Sequence, residues 1–179
     1  TLVGLNSVWG LQINKEKLID LASSLGSDVP FCIEGGIQLS FGRGEILEPL
    51  YPEKNSMAII LVKDPSISVS TPQAYGLFKR LNASRYLKGE FAFESCRQKL
   101  RAEPWLRFDR NDQIPPLKND LQEVIAPITP GVNHALEILR GLPGCLAVSM
   151  SGSGPSCFAL YPDIDTADRT RTAFLDDFN

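Results

Sequence analysis

The stretch Leu25-Gly26-Ser27-Asp28-Val29-Pro30-Phe31-Cys32 constrains the chain more than any other. A glycine closes a helix, an acidic side chain follows, and a proline-bearing apolar run comes next. Upstream, Leu18, Leu21, Ala22 and Leu25 recur at helical spacing after Asn14, a good N-cap. This predicts an amphipathic helix over 15–25 with those four residues on its inner face. Downstream, Ile37, Leu39 and Phe41 alternate with polar residues, then Gly42-Arg43-Gly44 leads into 46–50. That is the pattern of two strands and a turn. Ser27 is expected to cap a short turn that tolerates Pro30, because first-turn N–H groups have no partner in any case. The Asp28 carboxylate is therefore held at a sharp bend between a helix and a strand pair.

The rest of the chain is legible by the same rules. Leu2, Leu5 and Trp9 predict a first helix, with Gly10 at its left-handed end. Residues 51–56 are polar and proline-bearing, which makes them the candidate boundary between domains 1–54 and 55–179. Residues 57–62 form an apolar run of strand length. Thr71-Pro72 is a helix start, with Thr71 expected to cap a helix to about Leu81. Residues 87–101 have helical character. Phe91, Phe93, Trp105 and Phe108 are expected to form a satellite cluster beneath a long surface excursion. Asn119 caps a helix over 120–126. Pro130-Gly131 opens another, with Val132, Ala135, Leu136 and Leu139 turned inward. Residues 145–150 and 156–161 read as strands joined by Ser151-Gly152-Ser153-Gly154-Pro155, and 165–178 as a last helix. From Met57 the order is β, α, α, β, β, α, an α+β pattern matching a ferredoxin-like split βαβ arrangement without its final strand.

Composition narrows the function classes. The chain has 179 residues and a net charge of -3, with no basic block, so a nucleic-acid or anionic-membrane surface is not expected. No apolar run has the length to span a bilayer. Cys32, Cys145 and Cys157 sit in apolar runs, and Cys96 completes the set. They read as buried free thiols of a reducing compartment more readily than as a disulfide framework. With a single histidine, His134, a zinc site is hard to assemble. The chain opens on Thr1 in what reads as mid-helix, and it ends without a stop signal, so a fragment cut at both ends is the expectation.

Three stretches can carry chemistry, each with a plainer reading beside it. Asp28 is either a first-turn carboxylate favoured by the helix dipole or a base that polarises a substrate hydroxyl. Residues 151–156 are either a tight hairpin or a loop whose N–H groups meet an anion. In Thr71-Pro72-Gln73-Ala74-Tyr75, the tyrosine either packs on a neighbouring strand or offers a stacking face to a planar base. Arg43 reads as a solvated turn residue, His134 as a surface histidine and Asn119 as an N-cap.

In this order, Leu25 to Phe31, Ser70-Thr71-Pro72-x-x-Tyr75 and Ser151 to Phe158 resemble the GHMP small-molecule kinases. The Gly26–Phe31 segment with Gly35-Gly36 is the more specific part, and the glycine loop the more general. The likeness runs from Thr1 to about Asp163 and is weakest over 82–116. It implies an N-terminal domain like domain 2 of ribosomal protein S5, present in part, and a ferredoxin-like C-terminal domain, with the site in the cleft between them. The implied reaction is transfer of the γ-phosphoryl group of ATP, with Mg2+, to the 2-hydroxyl of a cytidine-diphosphate-linked methylerythritol, a step toward isoprenoid precursors. Asp28 matches the family's catalytic aspartate. Thr71 and Tyr75 fall in its cytidine pocket, Tyr75 stacking on the base. Gly152, Ser153 and Gly154 match the loop that braces the phosphates. The implied partners are ATP and this small substrate, with no nucleic acid and no membrane, in a bacterial cytoplasm or, after loss of a transit peptide, a plastid.

The family's glycine-rich nucleotide loop should lie immediately before Thr1 and is absent, as are an N-terminal lysine and the closing strand. Phosphoryl transfer depends on clamping and positioning, so the segment alone is expected to be inactive. The alternatives are another GHMP kinase, acting on homoserine, mevalonate or a sugar, or an inactive binding module.

Overall fold

The structure, a computed structural model, describes residues 1–50, 57–103 and 117–176. In chain order the helices are α1 (Leu2–Val8), α2 (Lys15–Leu25), α3 (Val29–Glu34), α4 (Thr71–Leu81), α5 (Glu90–Ala102), α6 (Asp120–Ile125), α7 (Pro130–Gly141) and α8 (Ile164–Asp176). The strands are β1 (Ile37–Phe41), β2 (Ile46–Leu50), β3 (Ala58–Val62), β4 (Ala147–Met150) and β5 (Cys157–Tyr161). They fall into two units. One holds the described residues 1–50 and 93–103, the other 57–92 and 117–176.

In the first unit, Asn6 locks the connection between α1 and α2. Its amide donates to the Ile13 carbonyl at 2.9 Å and accepts the Ile13 N–H at 3.0 Å. Asn14 caps α2 as its side chain dictates, accepting the Lys17 N–H at 2.9 Å. Only Leu18 and Ala22 of the expected inner face are buried, whereas Leu21 and Leu25 are exposed. The bend after Gly26 becomes a six-residue helix, α3, whose N-cap is Asp28 and not Ser27. Pro30 sits in its first turn and is fully buried. β1 and β2 form the expected antiparallel hairpin, Ile37 opposite Leu50 and Phe41 opposite Ile46. Arg97 and Arg101 of α5, one helical turn apart, lie over the Phe41 ring at 4.7 and 5.7 Å. Both also donate to the Glu48 carboxylate, Arg101 Nε at 2.7 Å. These bonds pull the Glu48 carboxyl down to about 2.

The second unit is built on an antiparallel sheet in the order β3-β5-β4. This is the arrangement expected when a hairpin strand inserts beside the first strand of a split βαβ unit. One face of β5 supplies Cys157, Ala159 and Tyr161 to the core. Against them pack Val132, Leu136 and Leu139 of α7, each at most 1% exposed, so the helical periodicity of that segment marks its buried face. Shortening Leu136 to alanine would cost about 2–5 kcal/mol at such a site. The excursion departs from expectation. Phe91 is 89% and Phe93 53% exposed, so they do not form a cluster, and Trp105 and Phe108 lie outside the described residues. The 51–56 link also lies outside them.

All four cysteines are free. Cys157 is buried, Cys145 and Cys96 are half-buried, and Cys32 is exposed, contrary to its apolar context. Burial pushes the thiols of Cys145 and Cys157 up.

Candidate functional site

A cleft of about 600 Å³ opens in the second unit. Tyr75 of α4, Asn119 at the head of α6, Ser149 of β4, Gly152 of the following turn and Phe158 of β5 line it. Phe158 and Ser149 are cross-strand partners, so one sheet face supplies both an apolar and a hydroxyl group. Tyr75 is 58% exposed; it does not pack into a neighbouring strand.

Thr71 is not a cap. Ser70 holds that position without a side-chain bond, and Thr71 is the first helical residue. Its hydroxyl instead lies 2.8 Å from that of Ser153. The glycine turn closes on itself, with the Ser151 N–H donating to the Ser156 carbonyl at 2.8 Å and the Gly154 N–H to the Ser151 carbonyl at 2.9 Å. The N–H groups of Gly152 and Ser153 make no hydrogen bond within the described chain. Gly154 is required sterically. Its φ is +83°, and a Cβ there would stand 2.7 Å from the Met150 sulfur.

Asn119 does more than cap. Its Oδ1 accepts the N–H groups of Leu121 and Gln122, while its Nδ2 donates to the carbonyls of Met150 and Gly152. Arg85 steadies the same helix turn, donating to Asp120 at 2.7 Å and Glu123 at 2.6 Å. The two carboxylates push its guanidinium still further up.

Asp28 lies in the first unit. It is exposed and makes no capping bond with its side chain. The β1–β2 turn approaches it: a Cβ on Gly44 would stand 3.7 Å from Asp28 Oδ1 and 3.6 Å from the Ser27 carbonyl. Gly44 has φ +119°, a conformation that suits glycine. Thr71, Tyr75, Gly152, Ser153 and Gly154 thus come together in one unit, and Asp28 is described within the other. Arg43 and His134 are exposed, and Arg43 pairs with Glu45 at 3.7 Å. Among the described residues no three His, Cys, Asp or Glu side chains are grouped to hold a metal ion, and no helix is long and apolar enough to cross a membrane.

Residues 95–179 match the family model described as GHMP kinases C terminal. The chain carries a GHMP kinase C-terminal domain. It is 59% identical over 167 residues to the 4-diphosphocytidyl-2-C-methyl-D-erythritol kinase of Prochlorococcus marinus (strain MIT 9313), covering 93% of this chain and 52% of that protein. A crystal structure of 4-(cytidine 5'-diphospho)-2C-methyl-D-erythritol kinase superposes with a TM-score of 0.66 at 27% identity, covering 96% of this chain and 57% of the other. The homoserine kinase from Cytophaga hutchinsonii ATCC 33406 shares the fold, with a TM-score of 0.62 at 20% identity over 98% of this chain and 58% of its own. The chain spans about half the length of the curated relatives it matches.

The sequence motifs single out the glycine turn and Tyr75, both of which border this cleft, but not Phe158, Ser149 or the second role of Asn119. Period-2 alternation could have placed Phe158 opposite the core residues Cys157 and Ala159. Nothing local marks Asn119 Nδ2, whose acceptors lie 31 and 33 residues away.

Proposed function

We propose that the chain is part of an ATP-dependent kinase that phosphorylates the 2-hydroxyl of 4-diphosphocytidyl-2-C-methyl-D-erythritol, on the methylerythritol phosphate route to isoprenoid precursors. One observation carries the reading: an exposed tyrosine ring and a glycine turn with unspent N–H groups belong to one cleft region, in a chain 59% identical to a kinase of that name. Tyr75 and Phe158 offer aromatic faces to the cytosine, a sequence-tolerant contact that Thr71 would supplement with a polar group. The free amides of Gly152 and Ser153 suit phosphate oxygens.

Asp28 is the proposed base. It would accept or orient the proton of the 2-hydroxyl while that oxygen attacks the γ-phosphorus and the bond to the β–γ bridging oxygen breaks, leaving ADP. No covalent enzyme intermediate is needed. Magnesium would neutralise charge on the phosphates, and in such sites it is held by one or two carboxylates together with phosphate oxygens and water. We place the enzyme in a bacterial cytoplasm, with ATP and the cytidine-linked alcohol as its small-molecule partners. The S5-like character of residues 1–54 belongs to the same proposal.

The test is a γ-phosphoryl transfer assay on the full-length protein. Asp28→Asn should lower kcat by roughly 10²–10⁴-fold, the usual contribution of a positioned base. Turnover at wild-type rate in that variant would defeat the assignment. Cytidine nucleotides should protect Tyr75 fluorescence from quenching. Absence of protection would favour a homoserine, mevalonate or sugar kinase, whose substrates carry no base to stack.

A further inference from the structure

We infer that Asn119 and Gln122 are positioning residues that hold the end of β4 and the glycine turn in the shape that receives the ATP phosphates. The phosphate part of this inference rests on the function proposed above; the holding part stands on geometry alone.

Met150 is the last residue of β4, and side chains at the start of α6 take both of its backbone groups. Its N–H donates to Gln122 Oε1 at 2.7 Å, and its carbonyl accepts from Asn119 Nδ2 at 2.7 Å. Asn119 Nδ2 also reaches the Gly152 carbonyl at 2.8 Å, and Gln122 Oε1 receives the Ser149 hydroxyl at 3.3 Å. Asn119 and Gln122 are three residues apart on one helix face. They serve as a substitute strand, offering one acceptor and one donor where a β-ladder would offer backbone groups.

The identity of Asn119 argues that this is more than a cap. Serine, threonine or aspartate would accept the N–H groups of Leu121 and Gln122 equally well. None of them brings an amide nitrogen that donates twice while the oxygen accepts twice. The reversed amide would set its oxygen against two carbonyls and its nitrogen against two N–H groups, so the orientation follows from the partners. With the Gly152 carbonyl fastened, the N–H groups of Gly152 and Ser153 keep one presentation, and Ser153 keeps its hydroxyl contact with Thr71. A turn prepared in this way avoids an ordering cost when a ligand binds.

Asn119→Asp in the full-length protein separates the two roles. It keeps a good cap but replaces both outward donors with an acceptor facing two carbonyls. Hydrogen exchange at the bonded amides of Met150, Ser151 and Gly154 should accelerate about tenfold or more, while the α6 amides of Leu121 and Gln122 stay as protected as in the wild type. The KM for ATP should rise about tenfold, against a small change for the alcohol substrate. Gln122→Met should accelerate exchange at the Met150 amide, and this variant carries the test if Asn119→Asp does not fold. Wild-type exchange across the turn, or equal acceleration in α6, would overturn the inference. Faster exchange with an unchanged KM for ATP would overturn its phosphate part. Should the wild-type full-length protein transfer no γ-phosphoryl group, the kinase reading falls while the exchange result still decides the holding role.

Discussion

The hydroxyls of Thr71 and Ser153 meet at 2.8 Å across 82 positions of sequence. This bond joins the first residue of α4, the helix that carries Tyr75 one turn later, to the middle of the glycine turn. Thr71→Val and Ser153→Ala should each weaken substrate binding, and the double variant should be little worse than either single one. A double-mutant cycle on the substrate Kd should return a coupling of about 0.5–1.5 kcal/mol, the usual net value of one hydrogen bond. Additive effects would show that the contact carries no energy.

Tyr75 exposes its ring, so its loss should cost recognition and spare the fold. Tyr75→Ala should weaken the binding of cytidine nucleotides by about 1–3 kcal/mol, the typical value of one base–aromatic stack, and leave Tm within a degree or two. Tyr75→Phe should keep most of the affinity. Titration calorimetry paired with thermal melts checks both. A large fall in Tm for Tyr75→Ala would mark the ring as structural.

The contrast between capped helices and tertiary contacts shows what the sequence made legible. Asn14 and Asn119 cap where their side chains predict, and the spacing of Val132, Ala135, Leu136 and Leu139 identifies the buried face of α7. These signals act within a turn or two of chain. Thr71 departs from the expected cap, and its hydroxyl meets a partner 82 residues away instead. Leu21 and Leu25 follow the apolar period of α2 but are not covered. The arginine pair over Phe41 was invisible too, since α5 lies 49 and 53 residues beyond Glu48.

Acid should loosen the contact between α5 and the hairpin. The Glu48 carboxyl is held at about 2 by hydrogen bonds from Arg101 and Arg97, against an ordinary 4.5. A depressed folded-state value means that the stabilisation is complete above about 4.5 and is lost as pH falls through about 2. Glu48→Gln should flatten the stability profile across that window and change it little at neutral pH beyond a constant offset. Denaturant melts at stepped pH measure this. Identical slopes in variant and wild type would refute it.

Thiol reactivity should follow exposure. Cys32 is exposed, so a maleimide should label it first in the native protein. Cys157 is fully buried and its thiol is pushed up by that burial, so it should react only in denaturant. Peptide mapping after timed labelling checks the order. Equal native rates at the two sites would contradict the packing of β5.

The amides of Asn119 and Gln122 also govern how the sheet can meet another molecule. Among the described residues β5 is central, with β3 on one side and β4 on the other. A foreign strand approaching β4 must evict both helix-borne amides at Met150 before it can register there. Strand addition on the β4 side is thereby opposed where that strand runs into the glycine turn.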